Sequence, residues 1–244
     1  MKGLVLPILL IALAEIGARA HGDSDSIAPP SQIVAAFFEA LGDGSLLTAT
    51  RDTLISAFGG LAIGASIGLA IGLALGLSRV LDRLLELPVE LFRPIPSVAV
   101  IPVALVALGF GYRLEIAIVA FASVWPMLIF SRAAVAGVEP RLLEVARALR
   151  LGVWRTVLKI VIPAALPSIF IAFRLAAGVA LIVAVTVEIA VNPQGLGAAL
   201  MTAGQALRPD LTLAFLVWVG IVGFALNQIL LLLQARLFGK EAAS

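Results

Sequence analysis

Six long apolar stretches constrain this 244-residue chain more than any other feature of its sequence. Each has close to the ~20 residues that a helix needs to cross ~30 Å of hydrocarbon. Because 61% of the residues are hydrophobic and only 13% are charged, a soluble core could not bury this much apolar surface. We therefore expect an all-α polytopic membrane protein with about six transmembrane helices. The stretches lie near 4–20, 54–78, 88–110, 115–136, 160–190 and 211–234.

The composition removes several classes of function. The chain has no cysteine and a single histidine, His21. Disulfides, thiol catalysis and cysteine-based metal sites are therefore excluded, and one histidine cannot form a catalytic or metal-binding cluster. Basic residues are not clustered with aromatic ones in the way that nucleic-acid binding requires. We expect neither an enzyme, nor a metal site, nor a nucleic-acid partner, and we expect the lipid bilayer to be the surroundings.

The first apolar stretch admits two interpretations. It contains Lys2, a short apolar run and the pattern Ala18-Arg19-Ala20, which is also typical of a cleaved signal peptide. An even number of helices would place both termini on one side, and this favours a retained helix. The cationic residues predict which side that is, because segments on the side of the termini hold 11 Lys and Arg and the opposite segments hold 4. By the positive-inside rule, both termini are predicted to be cytoplasmic.

Three regions follow from this topology. Residues 1–53 comprise the first helix and an outer segment, 54–236 form the core, and 237–244 form a cytoplasmic tail. The outer segment contains SQIVAAFFEALGDG, which is typical of a short amphipathic helix with Ser31 as N-cap and Gly42 as its stop. Such a helix either lies along the outer membrane face or is an ordinary linker helix.

The second stretch carries a glycine every four residues. This spacing puts the glycines along one face of a helix, where the lack of side chains lets a neighbouring helix approach closely. We therefore predict tight helix packing, with the lining of a path as the alternative. The glycines are Gly60, Gly64, Gly68, Gly72 and Gly76.

Polar and kinked positions inside the spans mark candidates for a translocation path. Pro94, Pro96 and Pro102 kink the third span, either to line a cavity or only to suit packing. Arg174 and Glu188 lie in the fifth span, where charge is costly. They either line or gate the path, or they form structural ion pairs with other helices, with snorkelling as a further possibility for Glu188. Four further candidates for a pore lining are Thr186, Ser123, Ser97 and Trp125.

The fourth and fifth spans are joined by a charged segment, EVARALRLGVWRTVLKIVIPAALP, at 144–167. Helical periodicity places Leu142, Leu149 and Val153 near one stripe, with most charges on other sides. This pattern suits either the groove of a partner protein or a membrane surface.

The segment resembles the EAA loop of binding-protein-dependent ABC importer permeases. The start of the loop is matched from Glu144 to Leu149, and its later part by Trp154, Ile162-Pro163 and Pro167. Three other segments are similar to the nitrate/sulfonate/taurine branch of that family, and the resemblance covers roughly 50–236. They are RPIPSVAVIPVALVALGFG, FRLAAGVALIVAVTVEIAV and QGLGAALMTAGQALRPDLTLAFLVWVGIVG.

The resemblance implies a type I importer permease fold, a place in the inner membrane of a bacterium, and a mechanism. A permease dimer, expected to be a homodimer, would contact two cytoplasmic ATPase subunits through a coupling loop at 137–159, and a soluble binding protein would deliver a small anionic or zwitterionic solute. No Walker-type sequence occurs, so ATP is expected on the partner subunit and no cofactor on this chain. A secondary transporter or channel is the alternative. The residues implied for coupling are Glu144, Ala146, Leu149, Arg150, Gly152, Val153, Trp154 and Pro163.

Within this loop, Glu144 is expected to cap or pair locally or to reach a basic group on the ATPase. Pro163 is expected to fix the angle at which the loop meets the fifth span.

The chain departs from the family pattern at one position. Arg150 stands where the family has a glycine that permits a turn between two short helices, and Gly152 follows two residues later. Either the turn moves to Gly152, or Arg150 continues the helix.

Overall fold

A computed structural model describes residues 5–20 and 28–239, and every secondary-structure element in these ranges is helical. Lys2, His21 and Lys240, together with the predicted tail from residue 240 onward, lie outside the described residues. In chain order the helices are α1 (Val5–Ala20), α2 (Pro30–Gly42), α3 (Ser45–Leu77), α4 (Arg79–Phe92), α5 (Ile101–Leu108), α6 (Tyr112–Ala136), α7 (Pro140–Ala148), α8 (Val153–Thr156), α9 (Ile162–Ala190), α10 (Leu196–Gln205) and α11 (Pro209–Phe238).

Four helical runs in the described ranges are long and apolar enough to cross a membrane: Ser45–Leu77, Tyr112–Ala136, Val153–Ala190 and Pro209–Phe238. A fifth is formed if α4 counts as one span with Ser97–Leu108, to which it is bent by 78°. The first predicted span is a helix of 16 residues, α1, which is shorter than the ~20 residues of a full crossing. The predicted six spans are therefore four or five, plus this short helix.

The third predicted span, at 88–110, begins earlier and is broken. Its first part is α4, which starts at Arg79 and exposes most of its residues, none of them buried. Its charged residues lie on one side of the helix and its leucines on the other. The segment therefore contains no long apolar run that would identify it as a span from the sequence. Pro94 and Pro96 lie in the break, and neither can donate the backbone hydrogen bond that would continue the helix.

The chain divides into two compact units. The first contains the described residues of 1–55 together with 185–224. Its core is a cluster of Ala40, Leu46, Ala49, Leu196 and Phe215. The ring of Trp218 packs 5.6 Å from that of Phe37, and its indole N–H donates a 2.7 Å hydrogen bond to Thr50 Oγ1.

The predicted cap of α2 is wrong in its detail. The helix begins at Pro30, so Ser31 lies inside its first turn instead of at the N-cap. The Ser31 backbone N–H and hydroxyl both donate to the Glu15 carboxylate of α1, at 2.9 and 2.7 Å. The helix ends at Gly42, but the left-handed residue of the turn is Gly44, with φ 78°.

The turn from α2 into α3 is closed by Asp43, whose Oδ1 accepts a 2.8 Å hydrogen bond from the Ser45 N–H. This bond stabilises the charged carboxylate and lowers the pKa of Asp43.

The second unit contains 56–184 and the described residues of 225–244, and its central feature is the packing of α3 on α6. The glycine face of α3 lies directly against the backbone and the Cβ atoms of α6. A Cβ added at Gly68 would lie 2.5 Å from the Val124 carbonyl oxygen, and one at Gly72 2.6 Å from that of Leu128. The neighbouring glycines, from Gly60 to Gly76, oppose carbonyls that also repeat every four residues, from Ile116 to Arg132.

Residue numbers rise together along this contact, so α3 and α6 run parallel. The chain between Leu77 and Tyr112 must therefore return through the same thickness, and only α4 and α5 lie in that interval. The bent pair thus acts as one span. It also follows that the segment after α6 lies at the same end as the start of α4, and Arg132 Nη2 donates a 2.7 Å hydrogen bond to Asp82 Oδ2 there.

Candidate functional sites

The charged segment 137–159 folds as a short helix, a turn and the beginning of a long helical run. Pro140 occupies the first helical position of α7, where its missing N–H costs no hydrogen bond. Ala146 is buried, whereas Glu144 and most other residues of α7 are exposed. Beneath α7 lies a cavity of about 630 Å³, whose lining includes Arg79 and Arg147.

Arg150 makes the turn in place of the expected glycine, and both predicted alternatives are therefore wrong. Its φ is 50°, in the left-handed region that favours glycine. The Leu151 N–H donates to the Ala146 carbonyl and the Arg150 N–H to that of Arg147, both at 3.0 Å, which is the Schellman pattern. Gly152 has φ −66° and ψ 161°, which any residue adopts, and it lies just before α8. The helix therefore ends before Arg150, and the turn does not move to Gly152.

Three coupling candidates expose large apolar side chains around this turn. Leu149 is 65% exposed, Val153 80% and Trp154 79%. The residues that were predicted to share one helical stripe, Leu142, Leu149 and Val153, do not do so, because α7 ends at Ala148 and Leu149 lies in the turn. The carboxylate of Glu144 has no hydrogen bond or ion pair with any residue of the described ranges, so the local cap or pair expected for it is not formed.

Pro163 lies inside the helical run Val153–Ala190 instead of at a junction between helices. The break between the loop helix and this run is at 149–152, about ten residues before Pro163. A π-helical segment, Val157–Val161, ends two residues before Pro163, and the Ile162 N–H donates to the Val157 carbonyl. π-Helical turns of this kind often accompany irregularities in a helix. A proline is one cause of such an irregularity, because it has no N–H to donate to the carbonyl four residues before it.

Arg174 has a polar partner on another helix. That partner is an amide, whereas the predicted ion pair would need a carboxylate. Its Nη1 donates a 3.0 Å hydrogen bond to Oε1 of Gln234, which is buried on α11. The contact satisfies part of the guanidinium within the protein, as a charged residue at this depth requires.

Glu188 is 2% exposed, so it does not snorkel. Its Oε2 accepts a 2.7 Å hydrogen bond from the Gly197 N–H in the first turn of α10. The preceding N–H, of Leu196, donates 2.9 Å to the hydroxyl of Thr53, which is fully buried. The two side chains thus satisfy two of the N–H groups that a helix N-terminus leaves without partners.

The glycines around this cap permit it. A Cβ at Gly195 would collide with the Glu188 carboxylate, and one at Gly197 would lie 2.8 Å from the Glu188 Cβ. Thr53 was missed by sequence reasoning, because nothing local connects it to a helix that begins 143 residues later.

The remaining path candidates are only partly brought together. Ser97 and Trp125 line one cavity of about 370 Å³. Ser123 is fully buried and faces the contact with α3. A Cβ added at Gly64 would lie 3.0 Å from the Cβ of Ser123. Thr186 is half-buried on α9 and does not line that cavity.

Within the described ranges, no group of three or more His, Asp and Glu side chains is placed to hold a metal ion.

Comparison with known proteins adds sequence relatives. Residues 64–241 match the family described as binding-protein-dependent transport system inner membrane component. The putative aliphatic sulfonates transport permease SsuC of Bacillus subtilis (strain 168) is 30% identical over 238 residues, which are 97% of this chain and 86% of that protein. The taurine transport system permease TauC of Escherichia coli (strain K12) is 30% identical over 61% of this chain and 54% of its own length. The nitrate import permease NrtB of Leptolyngbya laminosa is 25% identical over 62% and 54%.

Solved structures share the fold. An inward-facing conformation of the MetNI methionine ABC transporter aligns with a TM-score of 0.63 and 22% identity, over 76% of this chain and 94% of that chain. An amino acid ABC transporter crystallised with histidines aligns with a TM-score of 0.69 and 19% identity, over 82% and 98%.

Proposed function

The chain belongs to the family of binding-protein-dependent transport system inner membrane components, and from this membership we propose how it works and what it carries. It is an ABC transporter permease, a transport subunit and not an enzyme, with a type I importer permease fold. We propose that it forms the membrane path of an ATP-driven importer that moves a small anionic or zwitterionic solute into the cytoplasm.

The observation that carries this proposal is the exposed turn at 149–154. Large apolar side chains such as Trp154 often dominate protein contacts, and the helix before this turn carries the exposed carboxylate Glu144. The same turn begins the helical run Val153–Ala190, so a displacement of the turn is passed directly to a membrane-spanning helix. Rigid elements of this kind can switch a transporter between two packings. A cytoplasmic ATPase is the partner that this surface suits.

Further features support the rest of the assembly. The excess of Lys and Arg on the side of the loop favours a cytoplasmic loop and cytoplasmic termini in the inner membrane. Relatives named for sulfonates, taurine and nitrate favour an anionic or zwitterionic solute, delivered by a soluble binding protein. We propose a homodimer of this chain as the complete path.

Reconstitution with its ATPase and binding protein in liposomes tests the proposal. Trp154→Ala should release the ATPase or uncouple ATP hydrolysis from uptake, and Glu144→Lys should do the same through charge. Phe224→Ala, which truncates an exposed aromatic residue on α11, is the control and should leave both intact. Normal uptake and hydrolysis by both loop variants would refute the coupling role. Uptake that follows an ion gradient in the absence of ATP would instead support a secondary transporter.

A further inference from the structure

A cavity of about 370 Å³ lies where the broken span meets the middle of α6. The break contributes Arg93, Ile95 and Ser97, and the facing wall includes Phe121 and Trp125. The 78° bend between α4 and Ser97–Leu108 is what turns this short stretch toward the wall. Discontinuous helices at membrane depth are typical of solute sites in transporters.

The cavity is deep in the membrane-spanning part of the chain. Trp125 lies about 12 residues from either end of α6, so at ~1.5 Å per residue it is ~18 Å from each. An arginine at such a depth is costly and marks a functional site by default. Arg174 satisfies this requirement in part through its hydrogen bond to Gln234. The Arg93 side chain is exposed, and its guanidinium makes no hydrogen bond or ion pair with the described part of the chain.

The polar groups of the cavity can all donate hydrogen bonds, and its lining contains no Asp or Glu. Arg93 offers a guanidinium fork and Ser97 a hydroxyl. The Trp125 N–H is shielded from solvent and has no acceptor within the described residues; a turn of the ring would direct it to a ligand. The remaining lining is apolar and aromatic. A set of donors without a carboxylate selects for an anion, and the planar fork of arginine suits the paired oxygens of an oxyanion.

We propose that this cavity is a transport subsite that holds the oxyanion group of the solute, with Arg93 as its principal ligand. The inference rests on the proposed function, because only a transported solute would reach this depth. Sulfonates, taurine and nitrate share this oxyanion chemistry, and the apolar walls would receive the carbon part of a sulfonate. The rival is an ion pair between Arg93 and an acid of a second copy of the chain.

Uptake kinetics in the reconstituted transporter provide the first test, with taurine, ethanesulfonate and nitrate as probes. Arg93→Gln should raise the KM or lower the uptake of the transported probe at least ~10-fold, in line with the loss of a hydrogen bond to a charged group. Arg93→Lys should retain part of the activity, and Arg113→Gln, at an exposed arginine in the first turn of α6 that does not line the cavity, should not change the KM. An unchanged KM in Arg93→Gln would overturn the proposal. A loss of dimer mass in Arg93→Gln, restored by Arg93→Lys without a change in KM, would establish the rival.

Direct binding separates this proposal from the transport function. The chain has three tryptophans, so Trp154→Phe with Trp218→Phe leaves Trp125 as the only one. In the full chain in lipid bicelles, ethanesulfonate should change the Trp125 emission saturably, and Arg93→Gln should abolish the change. No saturable change in the parent would overturn the subsite even if uptake is normal. Saturable binding together with a complete lack of uptake of all three probes would uphold the subsite and contradict the proposed solute class.

Discussion

The contact between α3 and α6 allows a quantitative test of the fold at Gly68. A Cβ at this position would lie 2.5 Å from the Val124 carbonyl oxygen, 2.9 Å from the Met127 Cβ and 3.0 Å from the Leu128 nitrogen. Two of these three atoms belong to the backbone, so no flexible side chain can yield. The helices must separate by about 0.5 Å to reach even a 3.0 Å contact.

The cost of Gly68→Ala follows from this displacement. Overpacking of a well-packed contact costs about 1–3 kcal/mol, and a gap of 0.5–1 Å forfeits a quarter to a half of each neighbouring dispersion contact. Alanine gains about 1 kcal/mol over glycine in helix propensity, which offsets part of the loss. We therefore expect the free energy of unfolding to fall by up to about 2 kcal/mol.

Gly178 supplies the matched control, because a Cβ added there meets nothing within 4 Å. Gly178→Ala makes the same chemical change inside another long helix and should be neutral or stabilising by up to about 1 kcal/mol. Reversible unfolding of the purified full chain in bicelles by titration with SDS measures both variants. If the two substitutions shift the free energy of unfolding equally, the close approach of α3 and α6 does not exist.

Three further predictions concern the turn at Arg150 and the cap of α10. Arg150→Gly should be about 1 kcal/mol more stable than Arg150→Ala, because only glycine avoids the cost of the left-handed conformation; slower hydrogen exchange of the Leu151 amide in the glycine variant would show it, and equal exchange would contradict it. Glu188→Ala should lower the free energy of unfolding by about 1–3 kcal/mol, since it leaves the buried Gly197 N–H without its acceptor. Thr53→Val should cost about 1 kcal/mol through loss of the bond from Leu196, and an unchanged unfolding transition in both variants would refute the cap.

The sequence predicts those features that repeat along it. Apolar length locates the four long membrane-spanning helices, and the four-residue spacing of glycines indicates a helix contact. Helix α4 was missed because its amphipathic pattern has no long apolar run, and its bend at 93–96 was foreseen only as a proline kink.

Features that depend on distant partners were not predictable. Arg174 was expected to need a partner, but Gln234 lies 60 residues away and is not charged. Glu188 was assigned to the path, to an ion pair or to the surface because its true contact, the start of α10, is created by the fold. The local rule that glycine makes a left-handed turn pointed to Gly152, whereas hydrogen bonds across the end of α7 hold Arg150 in that conformation.

The ladder of glycines on α3 also restricts how this permease can move. The glycines and the facing carbonyls of α6 share a repeat of four residues, so the two helices fit together only in discrete registers. The next register lies ~6 Å along the axis, and any smaller slide would drive a side chain into backbone. The close fit therefore blocks axial sliding between α3 and α6. During a transport cycle, α3 and α6 would move together as one rigid body. The conformational change would then occur in helices that lack such a glycine contact.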